Sequence, residues 1–184
     1  MEDKYILQQA LRIAAVYHKG QKRKGSDVPY IIHPVEVGMI LQENGAGIDL
    51  VVAGLLHDIL EDTEMTEEKL VELFDEEIVR LVKGASEKLV ARDQTPWEER
   101  KQHTIDSLKT ADRDIKLITC ADKLSNCRSM AIDYKKVGDK LWTRFSRGYE
   151  KQKWYYENVL VSLEDLQGES MYKEFQEIVK SLFC

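Results

Sequence analysis

The run Val51-Val52-Ala53-Gly54-Leu55-Leu56 passes without a break into His57-Asp58-Ile59-Leu60-Glu61-Asp62-Thr63. An apolar run of this kind belongs in an interior, yet it ends in an imidazole and three carboxylates within six residues. Lone carboxylates on apolar helices are expensive to bury without a cation. Read as one helix at about 100° per residue, Val52, Leu55, Leu56, Ile59 and Leu60 share an arc that can pack into a core. His57, Asp58, Glu61 and Asp62 then share the opposite arc, with Gly54 one turn earlier, where a side chain would crowd a bound group. A solvated face would carry Lys and Glu at mixed spacing. The pattern therefore predicts a metal-centred catalytic face.

Two other segments offer ligands of matching type. In Tyr30-Ile31-Ile32-His33-Pro34 a histidine precedes a proline, and Val35, Val37, Met39, Ile40 and Leu41 follow as an apolar run. Proline is accommodated in a helix's first turn, so His33 is expected at a helix entrance, where its ring can point at a site. In Leu117-Ile118-Thr119-Cys120-Ala121-Asp122-Lys123-Leu124-Ser125-Asn126, the polar residues Asp122, Ser125, Asn126 and Ser129 recur at i, i+3, i+4 and i+7. His33, His57, Asp58 and Asp122 make a two-imidazole, two-carboxylate set. Mg²⁺ prefers all-oxygen shells, so this set favours Mn²⁺, Fe²⁺, Co²⁺ or Zn²⁺. Four protein ligands on a six-coordinate ion leave about two positions for water and a phosphate oxygen. Such an ion can lower the pKa of water to about 7. Glu61 and Asp62, one turn beyond the ligand pair, are close enough to orient that water or move protons. Which of them is the base, spacing does not decide.

Charge and composition bound the partners. A net charge of −6 argues against a nucleic-acid polymer, which usually requires a basic face. Locally, His18-Lys19-Gly20-Gln21-Lys22-Arg23-Lys24 is a compact basic loop just before His33. Alone it is a solubilising turn; in front of a metal site it becomes a phosphate clamp, because Arg grips phosphate with two parallel donors. No apolar stretch approaches the roughly 20 residues needed to span a bilayer. The charged start Met1-Glu2-Asp3-Lys4 is no signal peptide. Cys120, Cys127 and Cys184 are odd in number and lack metal-type spacing. Cys120 and Cys127 read as buried thiols, which fits a reducing cytoplasm.

The periodicity is helical throughout, and 184 residues suit one domain with a substantial core. Helices are expected over 3–18, over about 34–43 ending at Asn44-Gly45-Ala46-Gly47, and through the site with Asp49 as cap. Further helices are expected from Thr66 through Leu73, over about 75–90, and from Trp97 after a polar linker of residues 91–96. A long helix opens at Asp112 and Asp114 and carries Asp122; two more cover about 138–162 and 169–182. The expected fold class is all-α, a single helical bundle over 1–184 whose helices from about 138 onward complete it.

The order His33, His57-Asp58, Asp122 resembles the metal signature of the HD phosphohydrolase superfamily. The fuller text resembles the hydrolase domain of RelA/SpoT-homologue alarmone enzymes. Gln21-Lys22-Arg23-Lys24, Pro29-Tyr30-Ile31-Ile32-His33-Pro34, Leu55-Leu56-His57-Asp58 with Glu61-Asp62-Thr63, and Ala121-Asp122-Lys123-Leu124-Ser125-Asn126 stand in family order across about residues 5 to 130. The resemblance implies removal of the 3′-pyrophosphate of guanosine tetra- or pentaphosphate with Mn²⁺, and gives Glu61 and Asp62 the acid–base role. It puts Arg23, Lys24 and Asn126 at positions near the nucleotide, and an Arg147–Trp154 spacing makes Arg147 a further contact. With no synthetase domain following, a stand-alone hydrolase is expected. Two departures bear on the substrate: Trp97 stands where animal stand-alone members can carry a phosphate-facing lysine, and Lys151 stands where a tyrosine is expected, with Tyr149 or Tyr155 as substitutes.

Each residue also has an ordinary reading: a capping or core histidine for His33, a paired helix-face carboxylate for Asp122, a solvated helix end for Glu61-Asp62. Their joint occurrence favours the site. Two other functions fit the same residues, a phosphohydrolase of another nucleotide such as a nicotinamide dinucleotide phosphate, or a non-catalytic nucleotide sensor. A pure binder has no need of Glu61 and Asp62, which argues against the sensor.

Overall fold

A computed structural model describes residues 3–87 and 94–184, with the side chains of residues 3 and 4 excepted. Among the described residues it is all-α, with no strand; the basic loop holds one isolated antiparallel bridge between Lys22 and Pro29. The helices are α1 (Asp3–Tyr17), α2 (Ile32–Glu43), α3 (Ile48–Leu56), α4 (Ile59–Asp62), α5 (Glu67–Leu73), α6 (Glu76–Ala85), α7 (Trp97–Thr110), α8 (Arg113–Val137), α9 (Gly148–Ser162) and α10 (Ser170–Leu182). Two 3₁₀ segments, Gly138–Arg144 and Glu164–Leu166, flank α9. No described helix is long and apolar enough to cross a membrane.

α3 is buried on every side from Leu50 to Leu56 because α1, α2, α6 and α8 surround it. A helix apolar all round, as α3 is, is stable only in such a position. Its contact with α2 depends on glycine. A Cβ at Gly54 would lie 2.4 Å from Leu41 Cδ1 and 3.3 Å from Val37 Cγ1, and one at Gly38 would lie 3.0 Å from Leu55 Cγ. The role expected of Gly54, leaving room for a bound group, is thus corrected: it lets two helix backbones approach. Leu41 is fully buried, so the clash falls inside the core. Gly54→Val is expected to lower the unfolding free energy by about 1–3 kcal/mol, the range for overpacking a tight core. Urea denaturation measures it, and wild-type stability would contradict this packing role.

The expected single helix through the site is two helices. α3 stops at Leu56, Asp58 sits at φ −93°, ψ −2°, and α4 restarts at Ile59. The His57 side chain donates from Nδ1 to the Gly54 carbonyl at 2.8 Å, the acceptor that a continuing helix would offer to the Asp58 N–H. The two-arc picture fails with it, since His57 is 3% exposed and buried along with the helix it ends.

Elsewhere two of the three expected caps are made. The Thr66 side chain accepts from the Lys69 N–H and that of Asp112 from the Ile115 N–H, each capping the helix it precedes. Asp49 makes no cap; Gly47 holds that position and Asp49 lies in the first turn. α6 ends at Ala85, short of the expected residue 90; Ser86 is extended, and residues 88–90 and 91–93 of the expected helix and linker lie outside the described residues. The expected helix over 138–162 is a 3₁₀ segment, a turn and then α9: Gly138 at φ +56° ends α8, and Gly148 at φ +61° stands where the turn gives way to α9. Cys120 and Cys127 are buried free thiols, as expected, and Cys184 is exposed. α10 packs on α8, and the Asn44 side chain at the end of α2 accepts from Ser170 Oγ and the Met171 N–H at its start.

Candidate metal centre

His33, His57, Asp58 and Asp122 arrive from three places. His33 is in the first turn of α2, as expected from Pro34; His57 and Asp58 form the break between α3 and α4; Asp122 is in the second half of the first three turns of α8. The contacts of α2 and α8 with each other and with α3 bring them together. His33 Nε2 lies 3.1 Å from Asp122 Oδ1 and 3.6 Å from Asp58 Oδ2, and His57 Nε2 lies 2.9 Å from Asp58 Oδ2 and 3.9 Å from Asp122 Oδ1. The donor atoms of His33, His57 and Asp58 all fall within 4.8 Å of one another.

The arrangement fits a cation. His57 Nε2 is buried and, despite its closeness to Asp58, is not aligned for a hydrogen bond with any partner. Its Nδ1 carries the proton, because a carbonyl can only accept, so in the neutral ring Nε2 turns a lone pair toward carboxylate oxygens. Burial works to lower the His57 pKa, but the Asp58 carboxylate, with Asp122, overrides it and pushes it up to about 9. Burial would likewise raise Asp58 and Asp122. His57 beside the first, and Lys123 with the two histidines beside the second, hold both well below the usual carboxylate range. Burial pulls His33 below its ordinary value. Two ionised carboxylates against two buried imidazoles make a place where positive charge is stabilised, and nitrogen–oxygen donor sets of this kind suit a divalent transition ion.

Tyr30 and Lys123, which carried no role in the sequence reading, and Asn126 orient this set. The Tyr30 hydroxyl donates to Asp58 Oδ2 and lies 3.5 Å from Asp62 Oδ2; burial and then the Asp58 charge push its phenol above the ordinary range, which keeps it a donor. Asp122 receives Lys123 Nζ on Oδ2 at 2.5 Å and Asn126 Nδ2 on Oδ1 at 2.6 Å. Tyr30 and Lys123 stand inside the recognised motifs, so their position beside ligands was the available signal; their partners were not.

A cleft of about 410 Å³ opens on the centre, lined by Tyr30, His33, Asp58, Glu61, Asp62 and Asp122, with Lys101, Lys123 and Tyr155 among its other lining residues. Glu61, on α4, accepts from the Glu87 N–H at 3.1 Å, and the Asp62 carbonyl accepts from Gln21 Nε2 at 2.6 Å. Arg23 Nη2 donates to Asn126 Oδ1 at 2.7 Å, and so links the basic loop to Asp122 through one side chain. Arg23 and Lys24 line an adjoining recess that shares Tyr30 and Asn126 with the cleft. Lys24 sits over the Phe145 ring at 5.1 Å. His18, read as part of that loop's charge, is buried and rests on Gln21 and the Tyr30 ring.

Arg147 is not brought to the cleft; its Nε lies 3.0 Å from Glu98 Oε1. Trp97 packs against the rings of Trp154 and Tyr155. Of the two tyrosines considered in place of Lys151, Tyr155 lines the cleft, under Lys101 and Lys123, whereas Tyr149 packs on Trp142 and Phe183.

Comparison with known proteins is consistent along most of the chain. The HD domain model matches residues 10–147. A guanosine-3′,5′-bis(diphosphate) 3′-pyrophosphohydrolase of Borreliella burgdorferi is 33% identical over 175 residues, 92% of this chain and 26% of that protein. The guanosine-3′,5′-bis(diphosphate) 3′-pyrophosphohydrolase MESH1 of Danio rerio is 32% identical over 128 residues, 68% of this chain and 69% of that protein. The chain spans about a quarter or less of the first curated relatives it matches. Among solved structures, lmo0812 of Listeria monocytogenes superposes with a TM-score of 0.75 at 36% identity, covering 82% of this chain and 98% of that one. A metazoan ortholog of SpoT, described as hydrolysing ppGpp, superposes with a TM-score of 0.79 at 23% identity over 96% of this chain and 94% of that one, a likeness of fold.

Proposed function

The chain belongs to the HD-domain family, and from that premise we propose that it removes the 3′-pyrophosphate of guanosine tetra- or pentaphosphate, releasing GDP or GTP and pyrophosphate. The observation that carries this reading is the convergence of His33, His57, Asp58 and Asp122 beside Glu61 and Asp62 at one cleft. HD domains are metal-dependent, and these four residues would hold a divalent ion, Mn²⁺ in our reading. When bound, such an ion supplies Lewis-acid polarisation of a phosphoryl oxygen and acidifies water.

The chain's own residues supply the rest. Glu61 and Asp62 line the cleft beside the ligands, where one can take the proton of the attacking water and the other can return a proton to the leaving oxygen. Lys101 and Lys123 line the cleft with their ammonium groups 5.3 and 5.8 Å over the Tyr155 ring, Lys123 beside Asp122, and would place positive charge where phosphates lie. A substrate with phosphates at both ends of its ribose needs a cationic anchor away from the ion. Arg23 and Lys24 in the adjoining recess can provide it, with Asn126 between recess and cleft. Arg147, held by Glu98, would have to exchange that partner to take part. The partner is a small phosphorylated nucleotide and the setting the cytoplasm, in keeping with the buried free thiols of Cys120 and Cys127.

Product analysis tests the reading. Mn²⁺-loaded protein given guanosine tetraphosphate is expected to yield GDP and pyrophosphate together from the first turnovers. Inorganic phosphate as the sole early product would reject it in favour of a phosphatase acting on another nucleotide, with Trp97 and Lys151 the first positions to examine.

A further inference from the structure

A neutral imidazole ligates only through the nitrogen that lacks a proton, so whatever fixes the tautomer fixes the ligand. For His57 the backbone does this, through the Gly54 carbonyl. For His33 two side chains do it. His33 Nδ1 lies 2.9 Å from Ser125 Oγ, and Ser125 Oγ lies 2.8 Å from Glu36 Oε2, to which it donates. A serine hydroxyl has one hydrogen. Committed to Glu36, it can only accept from His33 Nδ1–H, which leaves the lone pair on Nε2, facing Asp58 and Asp122.

We infer that Glu36 is a positioning residue: through Ser125 it holds His33 in the tautomer that presents Nε2 to the ion. The inference rests on the metal reading above. Its geometry is economical in elements, since Glu36 follows His33 by one turn of α2 and Ser125 follows Asp122 by one turn of α8. Ser125 is fully buried. Glu36 is half-buried and lines a surface groove with Ile32, Met39 and Arg128, apart from the cleft, so it reaches the centre only through Ser125. Without Glu36 the Ser125 proton is free to turn onto Nδ1. The ring proton then moves to Nε2, where Asp122 Oδ1 at 3.1 Å accepts it, and that tautomer cannot ligate.

Calorimetric Mn²⁺ titration of the full chain tests this. Glu36→Ala and Ser125→Ala are each expected to weaken binding about 10–100-fold, as for other partners of metal-bound histidines. The double variant is expected to be no weaker than the weaker single one, because both act through one hydrogen bond. Glu36→Gln, whose amide oxygen still accepts the Ser125 hydroxyl, is expected to stay close to wild type, a rescue that a mere packing or charge role would not give. Wild-type affinity in Glu36→Ala or Ser125→Ala overturns the inference, as does Glu36→Gln binding as weakly as Glu36→Ala. Those results leave the metal reading intact; wild-type protein that takes up no Mn²⁺, Co²⁺ or Zn²⁺ overturns both.

Discussion

Asp58→Ala is expected to leave a folded protein that holds no divalent ion and turns over no substrate. Asp58 Oδ2 is the oxygen nearest the orphaned His57 Nε2 and is also within 3.6 Å of His33 Nε2, so its loss removes the carboxylate the two imidazoles share. What remains is two neutral donors and Asp122, whose oxygens are already engaged by Lys123 and Asn126. Folding is expected to survive, because Asp58 stands at the start of α4 without making a side-chain cap. It also leaves the Tyr30 hydroxyl without its carboxylate partner, but Asp62 Oδ2 lies 3.5 Å away to receive it. Metal content after dialysis, read beside turnover and a thermal melt, checks all three parts. A variant that keeps a full complement of metal would remove Asp58 from the ligand set.

Glu61→Gln is expected to separate chemistry from metal binding. The variant should keep the ion and lose about 10²–10⁴-fold in kcat, the usual contribution of a positioned acid–base group. Glu61 lies on α4, beyond the break that carries His57 and Asp58, and its carboxylate accepts from the Glu87 N–H at 3.1 Å. That contact holds Glu61 against the segment after α6, on the cleft side. The amide of a glutamine can still accept this hydrogen bond while it can no longer take a proton, so position is kept and basicity lost. Loss of the ion in Glu61→Gln would make Glu61 a ligand and leave Asp62 as the sole acid–base candidate.

The all-α class, most helix starts and the four candidate ligands that the fold brings together were legible in the sequence. Helical periodicity is local, so Thr66 and Asp112 could be read as caps and Pro34 as a first-turn residue without knowledge of the fold. The chemistry of the centre was legible for a related reason: His57-Asp58, His33 and Asp122 interrupt apolar segments, and buried charge has to be compensated somewhere. What depended on long-range packing was not legible. The chain breaks between Leu56 and Ile59 because the His57 ring takes a helix carbonyl, and no periodicity reports that. Gly54 serves helix approach because α2 happens to cross there, bringing Leu41 to 2.4 Å of a would-be Cβ. Arg147 matched a spacing but met Glu98, and Tyr155, one of two candidates, reached the cleft because α9 packs on α7 with that face inward. Glu36 and Ser125 lie 89 residues apart, and only the meeting of α2 with α8 joins Glu36, which no motif singled out, to the Ser125 of the polar stripe as partners of a ligand. The sequence by itself determined the helices and the donor types, which follow from local periodicity and desolvation. The tertiary structure decided which donors orient which, because hydrogen-bond partners are set by where helices cross.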